Sequence, residues 1–100
     1  LSPTAQVTTT IPDHHSMVSI LGAADELLRM VESAFDVRVL ARGNLLTVTG
    51  PEGHTDRVVE VFDELVKVLD TGRDLDAGAV EATISMVKGD EGISAAVVLG

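Results

Sequence analysis

"MVSILGAADELLRMVESAF", residues 17–35, is the stretch on which the fold turns. If its first part is helical, the stretch is two helices joined at a glycine; if 16–21 is a strand, the topology changes. Met17, Val18 and Leu21 recur at i, i+1 and i+4, which predicts a short helix over 14–20. MVSIL is also a favourable strand composition, so a strand over 16–21 competes. Gly22 closes the helix. From 25 to 35 the periodicity is cleaner: Leu27, Leu28, Val31, Ala34 and Phe35 share one helical face. Asp25 and Glu26 fall in its first turn, where negative charge suits the helix dipole.

Working back toward the N-terminus, Val7, Thr9 and Ile11 alternate with Gln6, Thr8 and Thr10. This period of two, rich in β-branched residues, predicts a strand that Pro12 stops. Residues 1–5, LSPTA, read as a tail. Asp13-His14-His15 places three metal-ligand side chains in a row. At a helix start these project about 100° apart and cannot converge on one ion. Asp13 is better read as an N-cap, its carboxylate accepting from a free amide one turn on. No metal site is expected.

Beyond the helix pair lies VRVLARGNLLTVTG, residues 37–50. Gly43-Asn44 is a two-residue hairpin turn, with Gly43 supplying positive φ. The turn fixes the register: Arg42 opposes Leu45, Leu40 opposes Thr47 and Arg38 opposes Thr49. On the other face Ala41 meets Leu46 and Val39 meets Val48. That second face is wholly aliphatic and predicts the core side. The first face mixes arginines, threonines and leucines, and arginine beside exposed leucine suits an interface. Arg38, Leu40, Arg42 and Leu45 are therefore the candidate docking face.

TGPEGHTD, residues 49–56, reads as a strand-to-helix turn; it lacks the lysine of a phosphate loop. Thr55 is placed to cap a helix over 55–69. Val58, Val59, Val61, Phe62, Leu65, Val66, Val68 and Leu69 leave only a narrow polar stripe on it: Asp56, Glu60, Asp63, Lys67 and Asp70. So much apolar surface predicts burial on two sides, against the sheet and another helix. Gly72 closes this helix. Asp76 caps a further one over 77–88, with Val80, Ile84 and Val87 on one face. Residues 89–100 fit a loop, a short strand or a linker to a following domain.

Composition narrows the function. The chain has 100 residues, enough for one domain, and opens on Leu1, so it reads as part of something longer. Without Trp or Tyr and with two Phe, the core must be aliphatic. Seven basic residues against 16 acidic ones give −9, the reverse of a nucleic-acid-binding footprint. With no cysteine, disulfides, thiolate metal sites and cysteine nucleophiles are excluded. No serine has a histidine and carboxylate arranged around it, so catalysis is not expected. No membrane-spanning run or signal peptide is evident, and a cytoplasmic location fits.

The order strand, short helix, glycine turn, helix, hairpin, long helix resembles type I KH domains, βααββα, which bind single-stranded nucleic acid. In that family a G-x-x-G loop between the helices clamps the backbone. The matching stretch here is Gly22, Ala23, Ala24 and Asp25; the second glycine is Asp25, a negative charge where a phosphate would pass. The resemblance implies a nucleic-acid surface made by this loop with Arg29 and Arg42.

A second resemblance covers residues 6–88. "SILGAADELLRMVESAFDVRVLARGNLLTVTG", a long helix and then "LDTGRDLDAGAVEATISMVKGDE" are similar to the N-terminal region of PhoH-like proteins. These are bacterial predicted ATPases associated with phosphate starvation and RNA metabolism, in which a P-loop ATPase domain follows. ATP and Mg²⁺ would belong to that following domain, and no cofactor is implied for this chain.

The expected fold is α+β: a KH-like (type I) βααββα minifold, three strands with helices on one face, plus a C-terminal helix. The expected organisation is a tail over 1–5, one accessory domain over 6–88 and a linker over 89–100. The expected role is non-catalytic docking or assembly with an ATPase domain or other subunits. Homo-oligomerisation and single-stranded RNA recognition remain open.

Overall fold

The structure, a computed structural model, describes residues 4–12, 15, 17–22 and 25–99, with the backbone alone at 18 and 90–99. Asp13, His14, Ala23 and Ala24 lie outside the described residues, and with them the proposed Asp13 cap and the middle of the glycine loop.

The chain runs β1 (Thr4–Thr10), α1 (Met17–Leu21), α2 (Glu26–Phe35), β2 (Arg38–Arg42), β3 (Leu45–Pro51), α3 (His54–Asp70) and α4 (Ala77–Leu99). The strands form one antiparallel sheet in the order β1-β3-β2. This is the KH-like βααββα order with an added C-terminal helix.

The decisive stretch is helical at Met17–Leu21. Ile20 and Leu21 are both buried, at 0% and 3% exposure. Neighbouring residues of a strand point to opposite faces, so a strand on a one-sided sheet would bury only one of them. α2 then buries Leu27, Leu28, Val31 and Phe35, the stripe its periodicity predicts. Asp25 sits outside the first turn, as the N-cap residue, with left-handed backbone (φ 59°) and no side-chain capping bond.

The hairpin has the register read from its turn: Arg42 pairs Leu45, Leu40 pairs Thr47 and Arg38 pairs Thr49. Val39, Leu46 and Val48 are buried. β1 begins at Thr4, inside the segment read as a tail, because β3 continues through Gly50 and Pro51 and gives Ala5 and Thr4 partners. Ile11 extends the tie: its N–H donates to the Asn44 carbonyl at 2.8 Å, and Asn44 Nδ2 donates to the Ile11 carbonyl at 3.3 Å. On the far side, β2 is an edge strand. The Val39 N–H donates to Glu32 Oε2 of α2 at 2.8 Å, so a side chain occupies the place of a neighbouring strand.

α3 packs on β3 and β1 and also on α4, the two-sided burial its composition predicts. Val58, Val61, Phe62, Leu65 and Leu69 are buried. Thr55 does not cap: the helix begins at His54 with Gly53 as N-cap, and Thr55 is 1% exposed. Its spacing to Val58 and Phe62, i+3 and i+7, puts it on the core face. Asp76 does cap α4, its Oδ1 accepting from the Ala79 N–H at 2.7 Å. Val80, Ile84 and Val87 face inward. The α4 backbone stays helical to Leu99. The sequence left 89–100 open because Gly89 and Gly92 weaken helix propensity there.

The molecule is thus layered: sheet, then α2 and α3, then α4 packed on both. Each fully buried Val, Leu or Ile contributes about 1.5–3 kcal/mol, and a core of this kind carries the fold without disulfides.

Candidate interaction surface

Helices cover one face of the sheet. On the other, β1 presents Thr4, Gln6, Thr8 and Thr10, all exposed. In register beside them run Leu45, Thr47 and Thr49 of β3, then Arg42, Leu40 and Arg38 of β2. The four residues of the docking reading share this face. Leu40 is 58% exposed and Leu45 43%, while Arg38 and Arg42 are exposed on either side of Leu40. No carboxylate stands among these face positions, on a chain whose formal charge is −9. The acidic residues lie elsewhere, so the sheet face is a basic and partly apolar island.

The KH-like loop is only partly described. Gly22 has φ 80°, and its carbonyl accepts from the Asp25 N–H at 3.3 Å. Arg29 is exposed one turn into α2. Gly22, Asp25 and Arg29 therefore share the α1–α2 corner. Arg42 sits at the hairpin end of β2, on the side of the sheet that faces away from the helices.

Two further features were not singled out in the sequence. An open cleft of about 780 Å³ lies where α2 ends and α3 begins, lined by Phe35, Glu52, His54, Arg57 and Lys88 among others. Its groups are engaged with one another. A His54 ring nitrogen, Nδ1, lies 2.7 Å from the Phe35 carbonyl. Arg57 donates to the Val87 carbonyl at 3.5 Å and lies 3.7 Å from Glu60. Lys88 Nζ stands 5.3 Å above the Phe35 ring. The contacts of His54, Arg57 and Lys88 with Phe35 and Val87 pin α2, α3 and α4 together, and the sequence hid them because these partners are distant along the chain.

The second feature is a groove of about 310 Å³ between α3 and α4. Glu60, Asp63, Glu64 and Lys67 rim it, with Met86 and Val87 on its α4 side. Met86 is 52% exposed and, with Leu40 and Leu45, makes up the large exposed hydrophobics among the described residues. Lys67 donates to Glu64 one turn before it at 3.1 Å, an i, i+3 pair.

Of the Asp13-His14-His15 run only His15 is described. Its Nε2 lies 2.7 Å from Asp70 Oδ1 at the end of α3. No group of three or more His, Asp or Glu among the described residues could hold a metal ion. No helix among the described residues is long and apolar enough to cross a membrane.

No family model matches the chain. It is 33% identical over 83 residues to PhoH-like proteins of Mycobacterium tuberculosis (strains H37Rv and CDC 1551) and Mycobacterium bovis AF2122/97. The match takes in 83% of this chain and 24% of each relative. The chain thus spans about a quarter of the length of the curated relatives it matches.

Proposed function

We propose that this chain is a non-catalytic accessory domain of a longer, PhoH-like protein, and that it docks through the outer face of its sheet. The observation that carries the reading is two exposed leucines, Leu40 between Arg38 and Arg42 and Leu45 opposite Arg42, on a face without carboxylates. A solvated sheet face has no need of two exposed leucines, whereas an interface centre favours apolar groups and arginine. The G-x-x-x-x-G-K-[ST] phosphate-loop pattern does not occur in this sequence. ATP and Mg²⁺ would belong to a P-loop domain following residues 89–100, which would serve as the linker.

The test is made in the longer polypeptide. Leu40→Glu and Leu45→Glu should break its native assembly, read by light scattering, while the circular dichroism of this domain stays unchanged. Native assembly in both variants would refute docking through this face.

The KH-like order and the positive φ of Gly22 favour a second reading, recognition of single-stranded RNA at the α1–α2 corner. Against it stand the overall charge and the burial of both phenylalanines in a chain without Trp or Tyr, the residues on which single-strand binding most often stacks bases. Fluorescence anisotropy with labelled RNA at low salt decides: salt-sensitive binding weakened by Arg29→Ala supports it, and no binding refutes it.

A further inference from the structure

Among the described residues the sheet face is one of two exposed apolar centres, and the other has the opposite charge. Leu40 lies between Arg38 and Arg42, and Leu45 lies opposite Arg42. Met86 lies at a groove rimmed by Glu60, Asp63 and Glu64, with Lys67 at one end. Counting charged residues, the sheet face carries two positive charges from Arg38 and Arg42, and the groove carries two net negative ones, three carboxylates less one lysine.

The two patches lie on opposite sides of the molecule, since α4 packs on the helices that cover the inner face of the sheet. One copy cannot join them within itself.

We infer that the sheet face of one copy docks into the α3–α4 groove of another, Leu40 and Leu45 meeting Met86 while Arg38 and Arg42 meet the acidic stripe. This rests on the docking reading and names its partner. The contact is heterologous: each copy uses one patch as donor and the other as acceptor, so copies add head to tail and close into a ring or continue as a filament.

Sedimentation velocity on the whole chain tests the inference through two variants at exposed positions. Leu40→Glu disables the sheet face and leaves the groove; Met86→Lys disables the groove and leaves the face. Circular dichroism confirms that each is folded. Alone, each should self-associate at least about tenfold more weakly than the unaltered chain. Mixed in equal amounts, they should form a capped pair, because each supplies the patch the other has lost. Failure of the mixture to pair overturns head-to-tail contact. Met86→Lys associating as well as the unaltered chain overturns it too, in favour of a symmetric sheet-to-sheet contact that still uses the docking face. A chain that stays monomeric throughout also overturns the self-contact, and the docking reading then stands or falls by its own test in the longer polypeptide.

Discussion

Single residues fix the corners of this fold. Gly22 has φ 80°, and a Cβ there would stand 2.7 Å from Leu27 Cγ. Gly22→Ala should therefore lose about 2–4 kcal/mol, combining left-handed strain with overpacking, measured by urea unfolding. Gly50 is different: the limit is space, since a Cβ would meet Val37 Cγ1 at 2.7 Å and its Cα at 3.2 Å. Gly50→Ala should cost about 1–3 kcal/mol in the same assay. Asp36 ends α2 in left-handed backbone at φ 54°, a negative side chain at the negative end of a helix. Asp36→Gly removes both penalties and should raise stability by about 0.5–1 kcal/mol. The sequence makes Gly22 and the Gly43 turn readable, because glycine is the residue such backbone asks for. It could not reveal Asp25 and Asp36 as left-handed, since aspartate is equally at home in a first turn or a cap.

Among the elements, the hairpin and α2 are legible because each has one buried and one open side, so their periodicities are clean. α1 is the hard case. It is five residues long, too short for its sequence to show a repeated helical period, and MVSIL suits a strand as well; only the burial of both Ile20 and Leu21 separates the two. Thr55 was misread because a threonine before an apolar run signals a cap, and only its spacing to Val58 and Phe62 reveals the core face. The Arg57 and Lys88 contacts depend on α4 folding back onto α2 and α3, and the His54 contact on α3 starting beside the end of α2, so the sequence shows none of them. The least expected contact between elements is Glu32 on the edge of β2. Removing that carboxylate leaves the Val39 N–H without its acceptor. Glu32→Ala should cost about 1–3 kcal/mol by thermal or urea unfolding. It should also increase aggregation on standing, since the edge is open to another strand; Glu32→Gln, which keeps an acceptor oxygen, should do neither.

For the whole molecule, the division of charge matters more than its sum. At 0.01 M salt the Debye length is about 30 Å, comparable to a body of 42 × 33 × 20 Å, so carboxylates across the helical side repel one another. At 0.15 M it is about 8 Å. Raising salt across this range should lift Tm by about 2–5 °C while weakening the head-to-tail contact, whose two patches attract. Calorimetry and sedimentation read the two effects separately, and their opposite signs distinguish self-repulsion within a copy from attraction between copies. The candidate docking face was legible as a pattern because a strand's alternation assigns its residues to sides. The groove that complements it was not, since Met86 and Glu60 meet only through packing of α3 on α4. The core that supports this body has a further consequence. It is filled by aliphatic side chains around Phe35 and Phe62, and the chain contains no Trp or Tyr. The domain is therefore nearly dark in the near ultraviolet, and indole emission from a complex belongs to its partner. One tryptophan placed at Leu40 would be a lone lamp on the sheet face, dim in water and bluer when covered.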